Sequence, residues 1–333
     1  MTLSGTRQDL LSALRSRTGQ WISGEELSGR LGISRAAISK HIAAIKALGY
    51  VISGAPGKGY LLTQAPDLLL PEEIRFGLST AQVGKTSIVH HALTDSTNIR
   101  ARELAREGAP SGTLVVAEAQ SAGKGRKGRS WLARPGEGLL FSLILRPDME
   151  PSRAALITLM TAVSVAEALI QETGIDARIK WPNDILVGGK KLAGILTEMS
   201  MELDAVDYVI VGLGLNINTP AEAFHPDIQE IATSVMAESS AAFSRVALLR
   251  AILSRFEAHY KTLTEQGPES MLSRWKTLSD IIGRRVRVSM MREEIEGQVI
   301  DIDTDGVLRV KNAAGESLRI LSGDVTYLDQ PLG

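Results

Sequence analysis

Residues Gln120 to Trp131 set three glycines, Gly123, Gly125 and Gly128, among four cations, Lys124, Arg126, Lys127 and Arg129, and close on an indole. Glycine lets the backbone come close to a ligand. Lysine and arginine supply charge-assisted donors for phosphate or carboxylate. The pattern predicts a loop that folds over a bound anion. Gly123-x-Gly125-x-x-Gly128 also satisfies the dinucleotide fingerprint, after a strand expected over 113–119. That fingerprint requires an apolar helix to follow. Here Arg129 leads instead to Pro135 and Gly136, which is loop chemistry. Val83 to Ser87 ends like a P-loop, but Ser79 stands where the motif needs its first glycine.

Three more clusters could carry chemistry. Asp95-Ser96-Thr97-Asn98 follows a strand expected over 87–93 and opens a helix to about residue 107. It is an ordinary helix cap, or a set of small donors and acceptors for a polar ligand head. Residues 179–187 and 190–198 flank Gly188-Gly189 and read as a hairpin. Asn183 and Asp184 lie on its first strand. Lys191, on its second, is either a solvated cation or a catalytic one. A strand over 207–211 runs into Gly212-Leu-Gly-Leu-Asn216-Ile-Asn218. Paired glycines there suit a bulge or the close approach of a planar ring. An apolar strand, 139–145, and a long helix, 154–172, would carry these clusters.

The chain that must position them has 333 residues, enough for several domains. It is 44% hydrophobic and has no cysteine, which excludes disulfides and thiolate chemistry. We expect no apolar run that spans a membrane, no export leader, and a cytoplasmic protein. Net charge is −1, but residues 1–64 carry eight Lys/Arg and three acids, or +5, leaving −6 for the rest. A basic first module on an acidic body points to nucleic acid for that module.

Within it, Leu10, Leu11 and Leu14 stripe a first helix. Ser23-Gly-Glu-Glu26 forms a capping box for a second, which ends at Gly32. Ser34 caps a third, buried through Ile38, Ile42 and Ile45. Two helices joined by a short glycine turn, followed by a hairpin tipped by Lys58, are a winged helix-turn-helix pattern. Arg35, Ser39, Lys40, Lys46 and Lys58 are its candidate DNA contacts. Thr63 to Pro71, with two prolines, reads as linker. Four to five alternating strands between 285 and 320 suit a small SH3-like barrel.

The run DSTN, the loop GKGRKGRSW, the hairpin KWPNDI…KKLAGILTE and the strand GLGLNIN occur here in one order. Together they resemble the biotin–protein ligase family. With the winged helix in front, the chain resembles the bifunctional members that also repress the biotin operon. The loop is usually GRGRRGR, so Lys124 and Lys127 keep the charge and lose the bidentate fork.

The resemblance implies an α+β multidomain fold: winged helix-turn-helix over 1–64, linker over 65–80, a class II synthetase-like mixed sheet with helices over 81–278, and the SH3-like barrel over 279–333. It implies ATP and biotin as substrates, biotinoyl-AMP as intermediate, and Mg²⁺ carried by ATP, with no protein-held metal. Implied partners are the biotin carboxyl carrier protein, operator DNA and a second copy of the chain. Ser96, Thr97, Asn98 and Gln120 would hold the biotin head. Lys124, Gly125, Arg126, Trp131 and Lys191 would line its carboxylate end. Gly123, Arg126, Arg129, Trp131, Asn183, Asp184, Asn216 and Asn218 would meet the nucleotide. Lys191, Arg126 and Arg129 would be catalytic. A lipoate ligase, or a ligand-sensing repressor without catalysis, is the alternative.

Overall fold

The computed structural model describes residues 5–290 and 293–329, which divide into two compact units after Gly77. The first unit holds helices α1 (Thr6–Arg15), α2 (Gly24–Leu31) and α3 (Arg35–Lys46), then a hairpin of β1 (Val51–Ala55) and β2 (Gly59–Gln64). Local chemistry sets the turn between α2 and α3. Ser23 Oγ accepts from the Glu26 N–H at 3.0 Å, Gly32 ends α2, and Ser34 Oγ accepts from the Ala37 N–H at 3.2 Å. Leu10, Leu14, Leu27, Ile38, Ile42 and Ile45 share one core with Ile52 and Leu62 of the hairpin. Ile22 bridges Tyr60, which ties the hairpin back to the start of α2.

The linker expected over 65–80 is largely part of this unit. Leu68 and Leu70 pack on its core, and Pro71–Arg75 forms a short helix, α4. Glu73, 2% exposed, accepts from the Tyr50 hydroxyl at 2.5 Å and pairs with Arg15. A buried carboxylate must keep its partners, so the segment is held rather than free. Burial pushes the Tyr50 phenol above its ordinary range, and it therefore remains a donor to Glu73.

The second unit is built on β3 (Ile88–His91), α5 (Thr97–Arg106), β4 (Leu114–Ala117), β5 (Gly138–Leu145), α6 (Ala155–Thr173), β6 (Arg178–Lys180), β7 (Asp184–Val187), β8 (Lys190–Glu202) and β9 (Ala205–Asn216). Helices α7 (Val235–Ser239), α8 (Arg245–Gln266) and α9 (Glu269–Leu278) follow. Its seven strands run in the order β3-β4-β5-β9-β8-β7-β6, with β3 and β4 parallel and every other pair antiparallel. All eight residues of β5 are buried, as a continuous apolar run demands. Helix α5 packs on β4, β5 and β9, and α6 packs on β6, β7 and β8. Gly188 and Gly189, at φ 57° and 80°, occupy the left-handed region that a two-residue hairpin turn needs.

The expectation of no long apolar run needs correction. Residues Pro151–Thr173 are long and apolar enough to cross a membrane by length and composition, yet 67% of the apolar window is buried inside the protein. Its apolar faces are used in packing against the sheet, α8 and α9.

Strands β10 (Arg285–Ser289), β11 (Glu294–Ile302), β12 (Leu308–Lys311), β13 (Ser317–Ile320) and β14 (Asp324–Tyr327) close the described chain. They form a five-stranded antiparallel sheet in the order β13-β12-β11-β10-β14.

Candidate active site

A cavity of about 590 Å³ opens over the middle of the seven-stranded sheet. Ser96, Thr97 and Gln120 line one end, where β3 hands over to α5 and β4 runs out. Gly194, Gly212 and Gly214 lie on its wall, on the central strands β8 and β9. A Cβ on Gly214 would overlap the Trp131 ring, and one on Gly212 would overlap the Asn98 amide. The paired glycines therefore admit two side chains close against the strand. They are not a bulge, because the β9 pairing with β5 is unbroken through both.

The glycine-rich loop is a tight hairpin. Trp131 N–H donates to Gly123 O at 2.9 Å, Gly125 N–H to Arg129 O at 2.7 Å, and Lys124 bridges Ser130. A single 3-10 turn, Arg126–Gly128, forms its tip, with Lys127 at φ 55°. At Gly123 the Trp131 carbonyl and the Gln120 amide leave no room for a Cβ. The missing Cβ lets the hairpin close there.

Cations converge on the other end. Arg126 donates to Asn183 Oδ1 at 2.8 Å, while the Asn183 amide donates to Ile195 O at 2.9 Å. Asn183 thus aims Arg126. Lys191 pairs with Asp184 at 2.6 Å, and its Nζ lies 5.7 Å from the centre of the Trp131 ring. Arg129 and Lys127 reach Asp324 on β14 at 2.7 and 3.2 Å. Burial would raise the Asp324 carboxyl, but Lys127, Arg129 and Arg126 hold it below its ordinary value. Lys180, on β6, was missed from sequence. Burial pushes its amine down, Asp184 opposes the fall and Lys191 adds to it. Lys180 stands opposite Asp184 in the β6–β7 register, and its place in the same KWPND run was the available signal.

Other expected residues divide. Ser96, Thr97, Gln120, Lys124, Gly125, Arg126, Arg129, Trp131, Asn183, Asp184, Lys191 and Asn216 all line the cavity. Asn98 lines it too, but both amide hydrogens are used, on Leu196 O and Glu198. It cannot donate to a ligand as expected. Asn218 is not among the lining residues; it donates to Phe243 O and accepts from Phe243 N–H, both at 2.9 Å. The segment from Phe224 to Ala232 also lines the cavity and went unread. Lys191 N–H donates to Ile231 O and Thr233 N–H to Lys191 O, a non-local pairing without periodic pattern.

In the first unit, Arg35, Ser39, Lys40, Lys46 and Lys58 are all exposed. Arg35 pairs with Glu25 at 3.0 Å, and Lys58 lies 5.9 Å from the Trp21 ring centre. Among the described residues no group of three or more His, Cys, Asp or Glu could hold a metal ion.

Residues 91–216 match the Biotin/lipoate A/B protein ligase family, residues 6–61 an HTH domain, and residues 281–326 the Biotin protein ligase C terminal domain. The chain is 38% identical to the bifunctional ligase/repressor BirA of Bacillus subtilis (strain 168) over 322 residues, covering 97% of this chain and 98% of that one. It is 31% identical to the bifunctional ligase/repressor BirA of Escherichia coli (strain K12) over 290 residues, 87% of this chain and 88% of that one. A biotin protein ligase from Aquifex aeolicus, solved in complex with biotin and ATP, superposes with a TM-score of 0.63 at 28% identity, covering 73% of this chain and 99% of that one.

Proposed function

Since this chain belongs to the family of bifunctional ligase/repressor biotin–protein ligases, we propose that it activates biotin with ATP, transfers it to a lysine of the biotin carboxyl carrier protein, and represses transcription with biotinoyl-AMP as corepressor. One observation carries the catalytic half. A slot of small neutral polar groups, Ser96, Thr97 and Gln120, shares one cavity with Arg126, Arg129 and Lys191. A neutral cyclic urea fits the first and a carboxylate beside a phosphate fits the second.

In the first step a biotin carboxylate oxygen bonds to the α-phosphorus of ATP and pyrophosphate leaves. Arg126 and Lys191 hold the two anions together and stabilise the charge that builds on the phosphorus oxygens. In the second, the neutral amine of the acceptor lysine attacks the acyl carbon. AMP leaves and the amine loses its proton. Trp131, laid against Gly194 and Gly214, walls the adenylate. Asp184 and Asp324, on the cavity wall, are each paired with cations. Mg²⁺ would arrive on the phosphates of ATP and neutralise their charge there.

For repression, the exposed cations of α3 and the hairpin tip would meet operator DNA, and one such module reads one half-site. A second copy fits the open edge of β8. Strand β7 pairs with it only from Lys190 to Gly194, and Met199 and Met201 beyond are 39% and 48% exposed. The test is pyrophosphate exchange into ATP, followed by label transfer from biotin to an isolated acceptor domain. Exchange that depends on biotin and not on lipoate is expected. Exchange driven by lipoate, or none, would overturn the reading.

A further inference from the structure

Beneath the polar end of the cavity runs a chain of hydrogen bonds whose direction can be deduced. Glu198, on β8, accepts from Arg102 at 2.5 Å and from Asn98 Nδ2 at 2.7 Å. Asn98 Nδ2 also donates to Leu196 O at 3.3 Å. Both neighbours on that side are pure acceptors, so the amide cannot be turned round. Its Oδ1 therefore faces Ser142 Oγ, 2.6 Å away on the wholly buried strand β5. An amide oxygen carries no hydrogen, so Ser142 must donate to it. The Ser142 hydroxyl has one hydrogen, and it is now committed.

Ser142 Oγ also lies 2.8 Å from Thr97 Oγ1. With its own proton committed, this contact is satisfied only if Thr97 donates to Ser142. Both groups are almost fully buried, at 4% and 0% exposure, where an oxygen pair without a hydrogen between would be costly. Thr97 then has only lone pairs to offer the cavity that it lines. Gln120 is turned the opposite way. Its Oε1 accepts from the Thr97 N–H at 2.6 Å, which leaves the Nε2 hydrogens to donate.

We propose that Glu198, Asn98 and Ser142 are positioning residues that act through Thr97. Together they fix its hydroxyl as an acceptor, and the slot therefore selects a head group that presents an N–H to Thr97 and a carbonyl to Gln120. This deepens the reading of the site as a biotin slot and rests on it. A cyclic urea satisfies both polarities. A dithiolane ring satisfies neither Thr97 nor Gln120, and a ring with only acceptors at that edge gives Thr97 no hydrogen to accept.

The experiment uses the full chain and calorimetric binding of biotin and of its two cyclic-carbamate isomers, in which one or the other ureido N–H is a ring oxygen. Wild type should bind one isomer at least roughly thirtyfold more weakly than biotin, because two acceptors then face each other. Ser142→Ala frees the Thr97 proton to turn into the slot. Asn98→Leu lets Ser142 donate to Thr97, with the same result. In both variants the discrimination should fall to within about fivefold, while Thr97 itself is intact. Each variant supplies its own ratio, and Ser142→Ala changes one buried atom, so a misfolded Asn98→Leu does not decide the matter. Reduced biotin affinity with the wild-type ratio retained would make the chain merely structural and overturn the proposal. Equal binding of biotin and both isomers by wild type would overturn it too. Failure of wild type to bind biotin at all would overturn the ligase reading and this one together.

Discussion

At the scale of single residues, the site works by controlling where charge and hydrogens point. Lys191 shows how. Its backbone is fixed on both sides by Ile231 and Thr233, so the side chain can be removed without loosening β8. Its ammonium is held by Asp184 at 2.6 Å, beside the Trp131 ring. Lys191→Ala should leave thermal unfolding nearly unchanged and lower adenylate synthesis by about 10²–10³-fold, the usual cost of losing one donor to a developing oxyanion. Near-normal pyrophosphate exchange in the folded variant would remove Lys191 from the reaction. Lys180 contributes differently. Burial works against its charge, and Asp184 is the neighbour that opposes this. Asp184 thus serves two ammonium groups, and the sequence reading singled out only Lys191 although Lys180 lies in the same KWPND run.

At the scale of elements, the glycine-rich hairpin is docked on the C-terminal sheet. Lys127 reaches Ser289 O at 3.3 Å, Arg126 reaches Gly323 O at 3.4 Å, and Arg129 and Lys127 share Asp324. Asp324→Asn removes the charge that these cations share. Tryptic cleavage within the hairpin should become several-fold faster, and the loss of stability should be about 1 kcal/mol, as for a half-exposed charge pair. The sign of the pH effect follows from the carboxyl being held below its ordinary value of 3.8. The contribution is fully present above that value and is lost as pH falls through the lower, folded one. Wild type and variant should therefore differ constantly at neutral pH and converge in acid. Equal tryptic rates would mean that the hairpin is held by its internal bonds alone.

At the scale of the whole molecule, a ligase that is also a repressor must couple the occupancy of its catalytic site to DNA binding. One winged helix-turn-helix reads a half-site, so repression needs two copies on a two-fold operator. Anything that favours pairing favours DNA by linkage. Biotinoyl-AMP carries the phosphate that Arg126 and Arg129 would hold, and biotin does not. The adenylate should tighten operator binding by about 1–3 kcal/mol over biotin, the usual scale of such coupling, and raise dimer content in sedimentation. Met201→Lys, which places a charge on the open edge of β8, should lower both. Equal operator affinity for ligand-free, biotin-bound and adenylate-bound protein at fixed salt would leave a ligase with a DNA tether.

Local chemistry is what the chain determined by itself. Ser23, Gly32 and Ser34 place the helix-turn-helix because caps act within a few residues. Gly188-Gly189 places the hairpin of Lys191 because φ above zero is a property of the residue. Charge and glycine alone predict a loop that folds over an anion, and the loop from Gly123 to Trp131 does line the cavity with Lys124, Arg126 and Arg129. Contacts between distant segments were decided only by the tertiary structure. Asn218 carries the same side chain as Asn216 two residues earlier, yet it is spent on Phe243, 25 positions away. Of residues 65–80, read as linker, those up to Gly77 joined the first unit, where Glu73 is held by Tyr50 and Arg15. Asn98 looked like a ligand donor until β8 supplied two acceptors for its hydrogens. A polar side chain's type states what it can bond. Which of those bonds remains for a ligand depends on what packs behind it, and only the folded chain settles that.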